Sequence, residues 1–249
     1  MSGHSKWATI KHKKGAADKA RGKLFAKLIR QVEVAAREGG GDLDANPTLR
    51  TMYQKARDSS VPLDTIERAV KRGTGELEGV RYEQATYEGY APNGVAVLVE
   101  VLTDNRNRTS ADVRSVFTRE GGSLAEPGAV AWQFERRGVA YVAKDVAEDD
   151  LMVAVLEAGV DDIVDEGDTW RVTCEPSALS HVREALESAG IAFENADVTM
   201  LPSSTVPLGT AEEAKKVLRL IDALDDLDDV QGVYANFDIP DEVLRAVEV

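Results

Sequence analysis

Apolar positions recur at helical spacing from Ala16 to Glu38. On a wheel advancing about 100° per residue, Leu24, Phe25, Leu28, Ile29, Val32, Ala35 and Ala36 share one arc, and Lys19, Lys23, Lys27, Arg30 and Arg37 share the opposite one. Gly39-Gly40-Gly41 stops this helix, since glycine accepts the left-handed turn that ends many helices. Asn46 and Pro47 supply an N-cap and a first-turn proline for a second helix, to about Ser59. The stretch from Pro62 to Arg72 predicts a third helix closed by Gly73, with 73–79 as a linker. Upstream, residues 1–15 follow neither a helical nor a strand period and read as an extended arm.

Beyond the linker the period changes. Tyr82 to Tyr90 alternates in part, Pro92-Asn93-Gly94 is a turn, and the β-branched run Val95 to Thr103 suits a central strand. Asp104 to Arg108 reads as a polar loop, with Thr109 or Ser110 capping a helix that carries Val113, Val116 and Phe117 and ends at Gly121-Gly122. Val130 to Phe134 reads as a strand. Residues 139–200 then run strand, helix, strand, strand, helix, strand, the order of a ferredoxin-like split βαβ unit. Thr210 to Leu227 is a helix, and Gly232 to Ile239 a strand without a partner of its own. Its return to the sheet begun at Tyr82 would make the ferredoxin-like unit an insertion.

Charge sharpens this division. Residues 1–75 carry 16 basic and 8 acidic side chains, a net of +8, whereas the remaining 174 carry 14 and 36, a net of −22. Nine of the first thirty residues are Lys or Arg and only Asp18 among them is acidic. A basic head on an acidic body turns one end of the molecule towards phosphates. The lone Cys174 excludes an internal disulfide, argues against a cysteine metal site and fits a reducing compartment. The longest strongly apolar stretch, Val95 to Val99, falls far short of the ~20 residues a membrane span needs. No apolar run follows the basic N-terminus, so it is not a secretory signal; a mitochondrial transit peptide is disfavoured because the segment continues into a helix. Binding of the basic helix to a membrane surface competes with a better use of its apolar arc, packing on the next two helices.

The candidate nucleic-acid residues are Lys6, Lys11, Lys13 and Lys14 on the arm and Lys19, Lys23, Lys27 and Arg30 on the first helix. Lys and Arg neutralise phosphates and release condensed counterions; the bland alternative is a solvated helix face. Trp7 either stacks on an unpaired base or anchors the arm on the helical domain. His4 and His12 are further phosphate candidates, and without Cys or acidic neighbours they do not suggest a metal. Asn105, Arg106, Asn107 and Arg108 offer donors suited to phosphates and base edges; equally, they form an ordinary turn whose arginines pair with the acidic body. Catalytic patterns are lacking. Gly73-Thr-Gly75 has the wrong spacing for a dinucleotide loop, and no Gly-Lys-Ser/Thr phosphate loop occurs. Asp226 to Gly232 breaks the calcium-loop pattern, and His181 has no evident nucleophile. The acidic run Asp222–Asp229 leaves a metal-dependent hydrolase as the enzymatic alternative.

The opening Ser2-Gly-His-Ser-Lys-Trp-Ala-Thr-Ile-Lys-His-Lys-Lys-Gly15 resembles the start of the YebC/PmpR family, which includes the mitochondrial translational activator of cytochrome oxidase. The resemblance continues through Gly22 to Arg30, Asn46-Pro47, Val61-Pro62, Thr103 to Thr109 and Gly128 to Phe134, and ends with Asp228 to Phe237. It implies an α+β protein of three domains: a basic arm and helical domain over 1–78, a split central α/β domain over 79–136 and 202–249, and an inserted ferredoxin-like βαββαβ domain over 137–201. It further implies cytoplasmic location, no catalysis, no cofactor, no metal and no small-molecule substrate. Two roles follow from it, a DNA-binding transcriptional regulator or a ribosome-associated factor that relieves stalling on proline-rich peptides. In both, the arm and first helix hold nucleic acid, and a protein partner for the acidic domains is left open.

Overall fold

The computed structural model describes residues 18–247, with the side chains of residues 18–21 and 241 outside that description. Lys6, Trp7, Lys11, His12, Lys13, Lys14 and the Lys19 side chain therefore lie outside the described residues.

Helix α1 (Asp18–Gly39), α2 (Pro47–Asp58) and α3 (Leu63–Thr74) form the first domain. Leu28, Val32, Ala35 and Ala36 of α1 pack on Leu49, Ala56, Val61, Ile66 and Ala69. Leu24, at the N-terminal end of the predicted apolar arc, is instead 40% exposed. Asn46 joins two helix ends: its Oδ1 accepts from the Leu49 amide at 3.0 Å, while its Nδ2 donates to the carbonyls of Ala35 and Gly40 at 2.8 Å. One side chain thus caps α2 and satisfies carbonyls at the end of α1. Gly73 does not close α3. It lies inside the helix, where a Cβ would sit 2.4 Å from the Glu33 carbonyl oxygen, so its role is close approach to α1; the left-handed turn falls at Gly75, φ +84°.

Strands β1 (Glu83–Tyr90), β2 (Ala96–Thr103), β3 (Ser123–Leu124) and β9 (Val230–Ala235) make an antiparallel sheet in the order β3-β1-β2-β9. The strand expected to return to this sheet is β9, paired with β2 from Val97↔Ala235 to Val101↔Val230. Helices α4 (Arg106–Arg119) and α7 (Ala211–Asp225) cover one face, burying Val97, Val99 and Val101 against Val113, Phe117, Leu220 and Leu224. Thr210 and Glu213 form a capping box that starts α7. The rest of the 232–239 segment leaves the sheet: β10 (Phe237–Asp238) pairs in parallel with β8 (Val206–Pro207), and α8 (Asp241–Val247) follows.

The segment expected as a strand at 130–134 is a 3-10 turn over Ala131–Gln133 that leads into β4 (Phe134–Ala143). The buried carboxylate of Glu88 organises it, accepting amides of Gly128, Val130 and Ala131 at 2.6, 2.7 and 2.7 Å. Strand formation is pre-empted because those amides are already satisfied. The third domain comprises β4, α5 (Glu148–Val155), β5 (Val160–Asp165), β6 (Thr169–Cys174), α6 (Leu179–Ser188) and β7 (Phe193–Pro202). The strand order β5-β6-β4-β7 with both helices on one core is the ferredoxin-like arrangement. The boundaries drawn at 136/137 and 201/202 fall inside β4 and β7, which pair from Phe134↔Pro202 to Tyr141↔Asn195 and, after a register shift, at Val142↔Phe193.

Candidate nucleic-acid interface

The basic face of α1 meets the chain's own acidic segment. Lys23 Nζ donates to Asp226 Oδ1 at 2.8 Å and to the Asp226 carbonyl at 3.0 Å. Lys27 Nζ does the same with Asp225, at 2.8 and 3.0 Å. Arg30 Nη1 donates to the Asp228 carbonyl and, at 3.0 Å, to Asp229 Oδ1. Helical geometry explains the match: positions i, i+4 and i+7 rise along one side of α1. The carbonyls of 225 and 226 belong to the end of α7, where unsatisfied oxygens and the helix dipole favour cations, and that of 228 to the turn that follows. Arg30 also lies over the Tyr82 ring, 5.4 Å from its centroid. The stripe is thus neither bare nor simply solvated at these three positions, and contact with phosphate there requires an exchange of partner. Arg37, at the far end, turns inward to Glu33 and the Val80 carbonyl.

The second predicted stretch converges on the same segment. Asn105 to Arg108 is not a loop but the start of α4, with Asn105 rather than Thr109 or Ser110 as N-cap; its side chain accepts from the Arg108 amide at 3.1 Å. An Asx cap was available in the sequence, and the Thr hydroxyls are spent elsewhere. Thr109 Oγ1 lies 2.7 Å from Asp229 Oδ2 and 2.7 Å from Thr103 Oγ1. Arg108 Nη2 reaches Asp229 Oδ2 at 2.7 Å and Asp104 Oδ1 at 2.8 Å. Asp229, 10% exposed, therefore holds Arg30 on one oxygen and Arg108 with Thr109 on the other. Burial pushes its carboxyl up, but hydrogen bonds from Thr109 and Arg108 and the charges of Arg108 and Arg30 outweigh burial and keep it below the usual carboxylate range. Hydrogen bonds to Asp229 and Asp104, together with their charges, raise the Arg108 guanidinium further above its ordinary value.

Asn105, Arg106, Asn107 and Arg108 are all exposed, and the first turn of α4 contains no acid. The side chains of Arg106 and Asn107 make no hydrogen bond or ion pair among the described residues. The acids 225, 226 and 229 were visible in the sequence only as a charged run; nothing local marked them as partners of α1, since Lys23 and Asp226 lie 203 positions apart. Their carboxylates face ammonium and guanidinium groups rather than an open cation site. Among the described residues no cluster of three or more His, Cys, Asp or Glu is placed to hold a metal, and no helix is long and apolar enough to cross a membrane.

Comparison with known proteins covers both halves of this seam. A family model described as the TACO1/YebC protein N-terminal domain matches residues 5–76, and one described as the TACO1/YebC second and third domain matches 82–237. A protein of Rubrobacter xylanophilus is 58% identical over 249 residues, covering 99% of each chain, and one of Thermobifida fusca is 57% identical over 249 residues, covering 99% of this chain and all of that one. Both carry the name probable transcriptional regulatory protein. The crystal structure of a conserved hypothetical protein from Aquifex aeolicus superposes with a TM-score of 0.80 at 47% identity, covering 91% of this chain and 94% of that one. With matches that run through the helical domain, the split sheet and the insertion alike, the chain belongs to the TACO1/YebC family.

Proposed function

We propose that this chain is a non-enzymatic, nucleic-acid-binding regulator of gene expression acting in the cytoplasm, in line with the regulatory name its relatives carry. One observation carries the proposal: nine basic residues against one acid in the first thirty, on a body of net −22. Lys6, Lys11, Lys13 and Lys14 precede α1 in the sequence and Lys19 belongs to it, and the exposed Arg106 and Asn107 at the start of α4 offer further donors. Contacts of this kind position a protein on a sugar–phosphate backbone without reading sequence. Binding measured by fluorescence anisotropy over a salt series should weaken with a slope of roughly −4 in log–log terms if about half of the nine residues engage, at about 0.9 per phosphate. Lys13→Glu with Lys14→Glu should cost at least about tenfold in affinity, close to 1.4 kcal/mol, and leave the melting temperature in place. Unchanged affinity refutes the assignment.

The relatives' name speaks of transcriptional regulation, and DNA is the target this first reading takes. The seam supports a second reading, a ribosome-associated translation factor. The polar side of α1 lies against the end of α7, so α1 is not presented as a free major-groove reader, and phosphate contacts without base readout suit structured RNA. Protection of a short duplex against competitor DNA marks the first role. Co-sedimentation with ribosomes that weakens in high salt marks the second.

A further inference from the structure

The contacts that Lys23, Lys27 and Arg30 make between α1 and the end of α7 are ion pairs and hydrogen bonds to carbonyls. Every apolar residue clustered with α1 comes from the helical domain itself, and the central cluster contains none from that domain. The ion pairs grade outward: Asp229 is 10% exposed, Asp225 35% and Asp226 77%. At each cation the ligands are one carboxylate oxygen and one carbonyl oxygen, two acceptors of which one is anionic, and a phosphate can replace both with its own oxygens. An interface without apolar closure opens readily, and its outer pairs are screened by salt.

Resting on the reading that the arm and α1 bind polyanions, we infer that the 225–229 segment is a built-in competitor for that site. It occupies Lys23, Lys27 and Arg30 in the free protein. Nucleic acid gains α1 by displacing it, and the helical domain then separates from the central one. The buried Asp229, tied down by Arg108 and Thr109, keeps the segment in place for re-closure.

The test neutralises the two outer acids in the full chain, Asp225→Asn with Asp226→Asn. Acids at a helix C-terminus oppose the dipole, so folding is retained; circular dichroism checks it, and Asp226→Asn alone provides a milder variant. Asp149→Asn with Asp150→Asn, exposed on α5, makes the same charge change away from the seam. With a labelled mixed-sequence RNA oligonucleotide as probe, the seam variant should bind about three- to tenfold more tightly than the wild type, the α5 variant much less so. Small-angle scattering should give a larger radius of gyration for the free seam variant. Equal gains in both variants, or none at the seam while the wild type binds, overturn the inference and leave polyanion binding standing. No binding by wild type or variant removes that underlying reading and the inference with it.

Discussion

Phe134 and Val142 lie on one strand yet belong to two cores, the first packed with Leu98 of the central sheet and Val130 of the turn before β4, the second with Leu151 and Leu186 of the ferredoxin-like domain. Nothing comparable joins the helical domain to the centre: α1 shares no apolar cluster with it, and Lys23, Lys27 and Arg30 reach across to Asp225, Asp226 and Asp229 instead. Lys55 adds one more ion pair outward, to Asp197 at 3.0 Å. The two junctions therefore answer to different forces. The β4–β7 ribbon is covalent, hydrogen-bonded and backed by burial, so it moves only with the fold. The α1–α7 seam is electrostatic, so it responds to salt and to competing anions. Glu33 shows that the chemistry alone does not decide this: it too is paired with two arginines, at 3.2 and 2.9 Å, but inside a packed domain where α1 and α3 already touch.

Breaking the shared strand should have the largest effect. Phe134→Ala is expected to cost about 3–5 kcal/mol, as for other buried aromatics, read as a fall in the urea midpoint. Next comes the loop that Glu88 organises behind that strand. Glu88→Gln leaves at least one amide without an anionic acceptor and should cost about 1.5–3 kcal/mol. Burial pushes the Glu88 carboxyl up, but its three backbone donors more than compensate and hold it below the ordinary 4.5. Its contribution is therefore present above that value and lost as pH falls through the lower folded one, and Glu88→Gln should flatten the acid limb of a stability–pH curve.

Asp229 tests the anchored end of the seam. Its carboxyl is likewise held below the ordinary 3.8, so its contribution is complete above that pH and lost in stronger acid. Asp229→Asn should cost about 1–3 kcal/mol through the buried Thr103 and Thr109 hydroxyls and the paired Arg108, measured by chemical denaturation. The smallest stability effect belongs to the outer seam. Lys23→Ala with Lys27→Ala should cost about 1 kcal/mol or less per pair, yet small-angle scattering should show the domains further apart. A large loss of stability there would make the seam a structural element rather than a latch.

The local content of this fold was legible. Asn46-Pro47, the glycines after α1, the β-branched run of β2 and the βαββαβ order each act through neighbours within a few residues, and each element appeared where its pattern placed it. Failures came where a distant partner intervened. Gly73 looks like a stop because glycine often is one, but the passing α1 backbone claims it for close approach. Residues 130–134 look like a strand until Glu88 takes their amides. Asn105 to Arg108 are the exception: their cap is local, Asn105 to the Arg108 amide, and only the pairing of Arg108 and Thr109 with Asp229 is distant.

Taken alone, the amino-acid order determined that a cationic head precedes an anionic body, and which segments coil or extend, because charge composition and backbone periodicity are additive over short windows. Only the tertiary structure decided which charges meet. Lys23 with Asp226 and Arg30 with Arg108 across Asp229 are brought together by the return of β9 beside β2. A Coulomb interaction depends on distance in space, and that distance is created by the fold.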